Sequence, residues 1–121
     1  MIDHISLSVA NLAESKAFID QALAPLGISL VMEVDGWAGY GPEGKPELWI
    51  GQHDLPQRPM HIAIRADNRA QVDGFYQAAV AAGGQDNGAP GIREHYHPNY
   101  YSAFVIGPSG HNIEVVCHEA E

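Results

Sequence analysis

The sequence contains an internal repeat, and this repeat limits the fold more than any other feature of the chain. Residues 3–9 and 60–66 each place a His-Ile pair inside a short segment that alternates between polar and apolar residues, as strands do. Each segment is followed by a stretch with apolar residues at helical spacing, and then by three more strand-like segments. We therefore predict two βαβββ units, one in each half of the chain.

Capping and turn residues give the predicted boundaries of the first unit. Its helix is expected over about 11–25, beginning at Asn11 with Glu14 three residues later, in the manner of a capping box. The helix ends where proline and glycine follow. Its three later strands are expected at 28–34, 36–40 and 47–52.

The second unit is predicted to be less regular than the first. Asp67 is expected to begin its helix, over about 68–82. The stretch 85–99 is rich in Gly, Pro and His and predicts a long loop around a short strand. Strands are expected again at 100–106 and 112–118.

The two units are predicted to form one domain that covers residues 1–121. A short junction that contains prolines, 54–59, separates module one (1–54) from module two (59–118). A hydrophobic content of 45% in 121 residues suffices for a core without disulfides. Cys117 is the only cysteine, so an internal disulfide and a cysteine-rich metal site are both excluded.

Charge and hydropathy narrow the range of partners. The formal net charge of −9 repels phosphate backbones and anionic membrane surfaces, so neither nucleic acid nor a membrane is expected as a partner. Polar residues interrupt every apolar stretch well before the roughly 18 residues that a transmembrane helix needs. The first residues show no basic and apolar signal region, which predicts a cytoplasmic protein. A small molecule is the expected ligand.

Strand alternation predicts which side chains share a face. In the first strand of each unit and in the last strand of the chain, the apolar residues alternate with polar ones. The apolar set would lie under a helix, and the opposite set contains His4, Ser6, Ser8, His61, Ala63, Arg65, Glu114, Val116 and His118. The histidines of both opening strands and the carboxylate of Glu114 are therefore expected on helix-free faces.

This pattern predicts an α+β fold with a curved, mostly antiparallel mixed sheet. The helices would cover its outer face, and the concave face would line a cavity. An antiparallel sheet with an ordinary solvated face is the alternative, and polar alternation by itself fits it well. The repeat favours the cavity, because it places a His at the same point of both opening strands.

The placement of Glu47 depends on which of two arguments is followed. Alternation puts Leu48 and Ile50 under the helix and Glu47 with Trp49 on the cavity face, which matches Glu114 and Val116. Counting residues from the turn before each strand disagrees, because it makes Leu48, rather than Glu47, the equivalent of Glu114. We follow alternation, since burying a carboxylate under a helix is costly.

The paired units resemble the vicinal oxygen chelate superfamily, which includes glyoxalase I, extradiol dioxygenases and bleomycin resistance proteins. The resemblance covers nearly the whole chain and is carried by three segments: Asp3-His4-Ile5, Met60-His61-Ile62-Ala63, and the turn Gly107-Pro108-Ser109-Gly110 leading to Glu114. Gly107 stands where the family usually has an acidic residue. The resemblance implies a divalent metal in a cavity shared by the two modules.

The resemblance implies two alternative ligand sets. A glyoxalase-type site would use His4, Glu47, His61 and Glu114, whereas an extradiol dioxygenase would use only His4, His61 and Glu114. Imidazole and carboxylate ligands with open positions suit Zn, Ni, Co, Mn or Fe(II). In the glyoxalase-type reading Glu114, with Glu47 as a counterpart, would be the base that moves a proton next to a carbonyl.

Other readings of function and site stay open at this point. An Fe(II) dioxygenase and a non-catalytic ligand-binding protein of the bleomycin resistance type are the alternatives. The residues expected to contact the substrate are Trp49, Arg65, His97, Tyr100 and Tyr101. The segment 95–101 is expected either to close over the cavity or to pack on the sheet rim. His53, His111 and His118 are expected at the surface.

The resemblance also implies assembly into a homodimer. Members of the superfamily pair their modules within one chain or exchange them between two chains. If the modules are exchanged, His4 and Glu47 meet His61 and Glu114 of a second copy.

Overall fold

The computed structural model describes residues 1–53 and 57–121 and contains two four-stranded mixed sheets, each with one helix. In the first half of the chain the elements are β1 (Ile5–Val9), α1 (Leu12–Ala22), a 3₁₀ turn (Ala24–Leu26), β2 (Ser29–Val34), β3 (Trp37–Gly41) and β4 (Leu48–Gln52). In the second half they are β5 (His61–Arg65), α2 (Arg69–Ala81), β6 (Gln85–Ile92), β7 (Tyr101–Ile106) and β8 (Asn112–Cys117). Part of the predicted junction at 54–59 lies outside the described residues.

Both sheets have the same topology, which confirms the predicted pair of βαβββ units. Sheet one has the strand order β1-β4-β3-β2 and sheet two the order β5-β8-β7-β6. In each sheet the opening strand pairs with the last strand in parallel, and all other pairs are antiparallel. In the described part of the chain, no helix is long and apolar enough to cross a membrane.

A side-chain cap begins each of the two helices, at the predicted residue in the first and one residue later than predicted in the second. The side chain of Asn11 accepts a hydrogen bond from the Glu14 backbone N–H, as predicted. The prediction that Asp67 begins the second helix is wrong, because Asn68 is the cap and accepts from the Gln71 backbone N–H at 2.9 Å. Asn and Asp cap about equally well, so the sequence offers no local reason to prefer either.

The stretch predicted as a long loop contains an eight-residue strand, β6. Its register against β7 shifts on both sides of Gly88, and such bulges accommodate Gly and Pro within a strand. The Arg93 guanidinium donates hydrogen bonds to the carbonyls of Ala89, Gly91 and Ser102, which ties the bulged strand to β7. The side chain of the residue directly after β6 thus supplies hydrogen bonds that the irregular ladder lacks.

The apolar sides of both sheets share one core. The core cluster contains Leu7 and Ile50 from sheet one, Val105 and Ile113 from sheet two, and buried residues of α1 and α2. The cluster joins the helix-covered faces of both units. Each sheet therefore has a second, helix-free face that points away from the shared core, and we call these open face one and open face two.

His111 links the two units and is not a surface residue as predicted. Its side chain is 4% exposed. Its Nδ1 accepts from the Met60 backbone N–H and its Nε2 lies 2.9 Å from the Ser8 carbonyl oxygen. Because Met60 N–H can only donate and the carbonyl can only accept, the geometry assigns the proton to Nε2. The surface prediction is wrong because β1, which covers His111, comes from the other half of the chain.

Candidate functional site

Open face two carries a cluster of three polar side chains from β5, β8 and the residue before β7. The Nε2 of His61 lies 2.8 Å from Oε1 of Glu114, and the Tyr100 hydroxyl donates a hydrogen bond to Oε2 of the same carboxylate. Glu114 is 2% exposed, whereas the His61 side chain is 54% exposed. A buried carboxylate is thus held from both sides, while the imidazole edge faces outward.

Tyr100 is a neutral hydrogen-bond donor in this cluster. Burial of the phenol and its bond to Glu114 raise the pKa of Tyr100 to about 12. At neutral pH the phenol therefore stays protonated and donates a hydrogen bond to the carboxylate of Glu114. This bond fixes the orientation of the Glu114 side chain.

Tyr101 faces the opposite side of sheet two and does not reach the cluster. Its hydroxyl donates to Asp73 on α2 at 2.6 Å. The bond to Asp73 and burial raise the pKa of Tyr101 to about 12. Two adjacent tyrosines thus make the same type of bond on opposite faces of one strand, as the two-residue period of a strand requires.

Two further residues border the cluster, and sequence reasoning had not singled them out. The Phe104 ring centroid lies 5.9 Å from that of His61, and the Arg93 guanidinium lies over the Phe104 ring, 5.1 Å from its centroid. Phe104 is directly paired with Glu114 in the β7–β8 register. Alternation from Tyr100 through Ser102 to Phe104 would have placed Phe104 on this face.

The predicted loop segment packs beside the cluster. The rings of Tyr96 and His118 each approach the Tyr100 ring, with centroids 5.0 and 5.2 Å away. His97 is exposed, its ring lies 5.8 Å from that of His118, and its Nδ1 accepts from the Asn99 backbone N–H. The segment therefore holds Tyr100 in place from the rim of the sheet.

Open face one carries His4 in a separate groove of about 650 Å³. The groove is lined by Asp3, His4, Ser6, Val34, Asp35, Trp37, Lys45, Pro46 and Trp49. The Nδ1 of His4 lies 2.8 Å from Asp3, whose carboxylate also pairs with Lys45 at 3.2 Å. Hydrogen bonds from His4 and Lys45 lower the pKa of Asp3. Trp49 lies in the groove where alternation had placed it.

Glu47 and Arg65 line a different cleft from the one that holds His4. This cleft, of about 310 Å³, lies between β1 and β5 and includes Ile5 and Ile62. The Arg65 guanidinium pairs with Glu119 at 3.8 Å, and both side chains are largely exposed. Glu47 is exposed and comes directly before β4.

One chain therefore brings together only two of the predicted metal ligands. His61 and Glu114 converge on open face two, whereas His4 lies in the groove of open face one, whose lining contains neither of them. Within residues 1–53 and 57–121, no three His, Cys, Asp or Glu side chains gather into a metal-binding group.

Comparisons with known proteins agree on one family. The model of the Glyoxalase/Bleomycin resistance protein/Dioxygenase superfamily matches residues 1–115. A glyoxalase/bleomycin resistance protein from Albidiferax ferrireducens T118 is 25% identical, with a TM-score of 0.82 over 94% of this chain and 96% of that one. A glyoxalase-related enzyme from Fulvimarina pelagi is 21% identical, with a TM-score of 0.74 over 97% and 87%.

A third solved structure, lactoylglutathione lyase from Agrobacterium tumefaciens, is similar in fold. It is 17% identical, with a TM-score of 0.71 over 97% of this chain and 92% of that chain. No curated protein sequence matches the chain.

Proposed function

The chain belongs to the Glyoxalase/Bleomycin resistance protein/Dioxygenase superfamily, and on this basis we propose that it is a metal-dependent enzyme that moves a proton on a small carbonyl substrate. The observation that carries the proposal is the cluster of His61, Glu114 and Tyr100 on open face two. It combines an imidazole, a buried carboxylate and a neutral phenol, which are the groups that metal binding and proton transfer need.

The donor pair fits a divalent ion. Imidazole nitrogen and carboxylate oxygen are both ligands of divalent metal ions in proteins. An ion held by His61 and Glu114 would replace the hydrogen bond that now joins them at 2.8 Å. Nitrogen and oxygen donors suit Zn, Ni, Co, Mn or Fe(II), and His4 would be the third ligand.

A second copy of the chain would supply His4. Two observations support this: the helix-covered faces of both sheets contribute to one core, and no three possible ligands gather among the described residues of one chain. In a two-fold symmetric dimer, open face one of each copy would lie against open face two of its partner. We therefore propose a homodimer with two equivalent sites, each lined by both copies.

Glu114 is the residue placed to take the proton. A divalent ion bound here would withdraw electron density from a substrate carbonyl and make the neighbouring C–H more acidic. The Glu114 carboxylate would accept that proton, and the Tyr100 hydroxyl would fix the plane of the carboxylate. The ring of Phe104 beside Glu114 would limit access of water to this end of the site.

The position of Glu47 favours a second candidate function. Since Glu47 lines the cleft between β1 and β5, the ligand set reduces to two histidines and one carboxylate. That set is the facial triad of non-heme Fe(II) oxygenases. Iron in the purified protein together with oxygen consumption would favour an extradiol-type dioxygenase, and absence of any metal would favour a binding protein of the bleomycin resistance type.

Metal content of the protein purified without an affinity tag tests the proposal. We expect close to one ion per chain, and a combined His4→Ala, His61→Ala and Glu114→Gln variant should bind none. The matched control changes Glu94 and His95 to alanine, which removes one carboxylate and one imidazole from exposed positions. Loss of metal in the control, or no uptake by the wild type from any of the five ions, would contradict the assignment.

Tyr100→Phe is expected to weaken metal binding about tenfold, because removing a partner that orients a metal ligand typically costs 10- to 100-fold in affinity. The affinity is measured by calorimetric titration of Zn or Ni into chelator-treated protein. Tyr101→Phe is the matched control, since it breaks the same type of phenol–carboxylate bond on the other face of sheet two. Equal losses of metal affinity in both variants would mean that Tyr100 affects the metal only through the stability of the fold.

A further inference from the structure

Both tryptophans of the chain lie on open face one, next to each other on neighbouring strands. Trp37 in β3 is paired with Gly51 in β4, and Trp49 in β4 is paired with Gly39 in β3. The two indoles are therefore diagonal neighbours, with backbones about 7–8 Å apart. Each is half-buried, so part of each ring system faces the groove.

Two glycines allow the indoles to pack directly against the backbone of the sheet. A Cβ on Gly51 would come within 2.4 Å of Cδ2 and 2.7 Å of Cε2 of Trp37, which are the atoms where its two rings fuse. A Cβ on Gly39 would come within 2.8 Å of the six-membered ring of Trp49. Any side chain at these positions would displace the rings, so the two glycines allow both indoles to lie close to the backbone of the sheet.

The charges of the groove select against an anionic ligand. Lys45, the cation among the residues that line it, already pairs with Asp3 at 3.2 Å. Asp35 has no cation within 4 Å among the described residues, so the groove carries excess negative charge. His4 lies on the same face, two residues before Ser6, which is paired with Trp49.

We propose that Trp37 and Trp49 form a platform on which an uncharged, planar aromatic group of the substrate stacks, beside His4. Stacked aromatic pairs contribute beyond their buried area, and both half-buried indoles line the groove, where a ligand ring can reach them. The inference rests on the proposed function in taking the His4 groove as part of the substrate site. Stacking itself requires no metal.

Tryptophan emission tests the platform directly, because both tryptophans of the chain lie in this groove. Acetophenone is titrated into the full-length protein with and without chelator, and cyclohexyl methyl ketone, its saturated and non-planar counterpart, is the comparison. We expect saturable quenching by acetophenone in both conditions. Calorimetry should give about fivefold tighter binding of acetophenone than of the saturated ketone.

Three variants separate stacking from other causes of quenching. Trp49→Leu should weaken acetophenone binding about fivefold, read from the emission of Trp37. Gly39→Ala keeps both indoles but displaces one, and should weaken binding similarly, while Gly91→Ala, where a Cβ has ordinary contacts, should not. Circular dichroism establishes that each variant is folded.

The proposal is overturned if both ketones bind equally, or if Gly39→Ala binds acetophenone as the wild type does. It is also overturned if emission responds to dilution of the protein but not to the probe, since a second copy would then cover the platform. Metal uptake without acetophenone binding would remove this inference and leave the proposed function. Acetophenone binding without metal uptake would remove the proposed metal-dependent function and leave this inference.

Discussion

Heterodimers that carry His4→Ala in one copy and Glu114→Gln in the other are expected to bind about one divalent ion per pair of chains. Each variant by itself should bind none. In the mixed dimer one site contains both changes, whereas the other combines the intact His4 of one copy with the intact His61 and Glu114 of its partner. Co-expression with two different tags, tandem purification and metal analysis would give the result.

The control for this experiment is a pair of variants whose ligands lie on the same face. His61 and Glu114 converge within one chain, 2.8 Å apart. A heterodimer of His61→Ala and Glu114→Gln therefore has one broken ligand in each site and should bind no metal. If the heterodimer with His4→Ala also binds none, the ligands of each site come from a single chain and the proposed assembly is wrong.

The surface of sheet one supports contact with a second copy. Met32 and Val34 on the edge strand β2 are 45% and 48% exposed. They lie on open face one, because Glu33 between them reaches Lys16 on α1, on the helix side. Exposed apolar side chains beside a cavity are typical of interaction surfaces. The rim of the His4 groove therefore has the character that a dimer contact needs.

The sequence was sufficient to predict those features that depend on local order. The repeat and the strand period placed His4, His61 and Glu114 on helix-free faces, because alternation along a strand is set by the backbone itself. They did not place the two faces relative to each other. That arrangement depends on how the helices of the two units pack together, and this packing cannot be predicted from the pattern of either unit alone.

The missed features have a common physical origin in contacts between distant segments. The stretch that contains β6 was predicted as a long loop around a short strand, because Gly and Pro are unfavourable in a regular strand. The hydrogen bonds that offset this come from Arg93, which directly follows the strand. The contact between Tyr100 and Glu114 joins two strands through a side chain. Alternation predicts the face of each residue but not which of them touch.

His111→Ala is expected to lower the free energy of unfolding by about 2–4 kcal/mol. The substitution removes two hydrogen bonds and leaves the Met60 N–H and the Ser8 carbonyl without these partners at a buried position. It also leaves a cavity where β1 meets the turn before β8. Urea denaturation followed by circular dichroism would measure the change, at one fixed protein concentration because the proposed dimerisation would contribute to stability.

The comparison with His95→Ala decides whether burial is the cause. His95 is exposed and its ring contacts Tyr96, so its loss should change the free energy of unfolding by no more than about 0.5 kcal/mol. His111→Gln can still offer an acceptor to the Met60 N–H, so its free energy of unfolding should lie between those of the two alanine variants. If His111→Ala is as stable as His95→Ala, the imidazole does not link the two units. Other contacts between the units, such as the hydrogen bond from the Ala10 N–H to the Ser109 hydroxyl, would then hold the core together without this histidine.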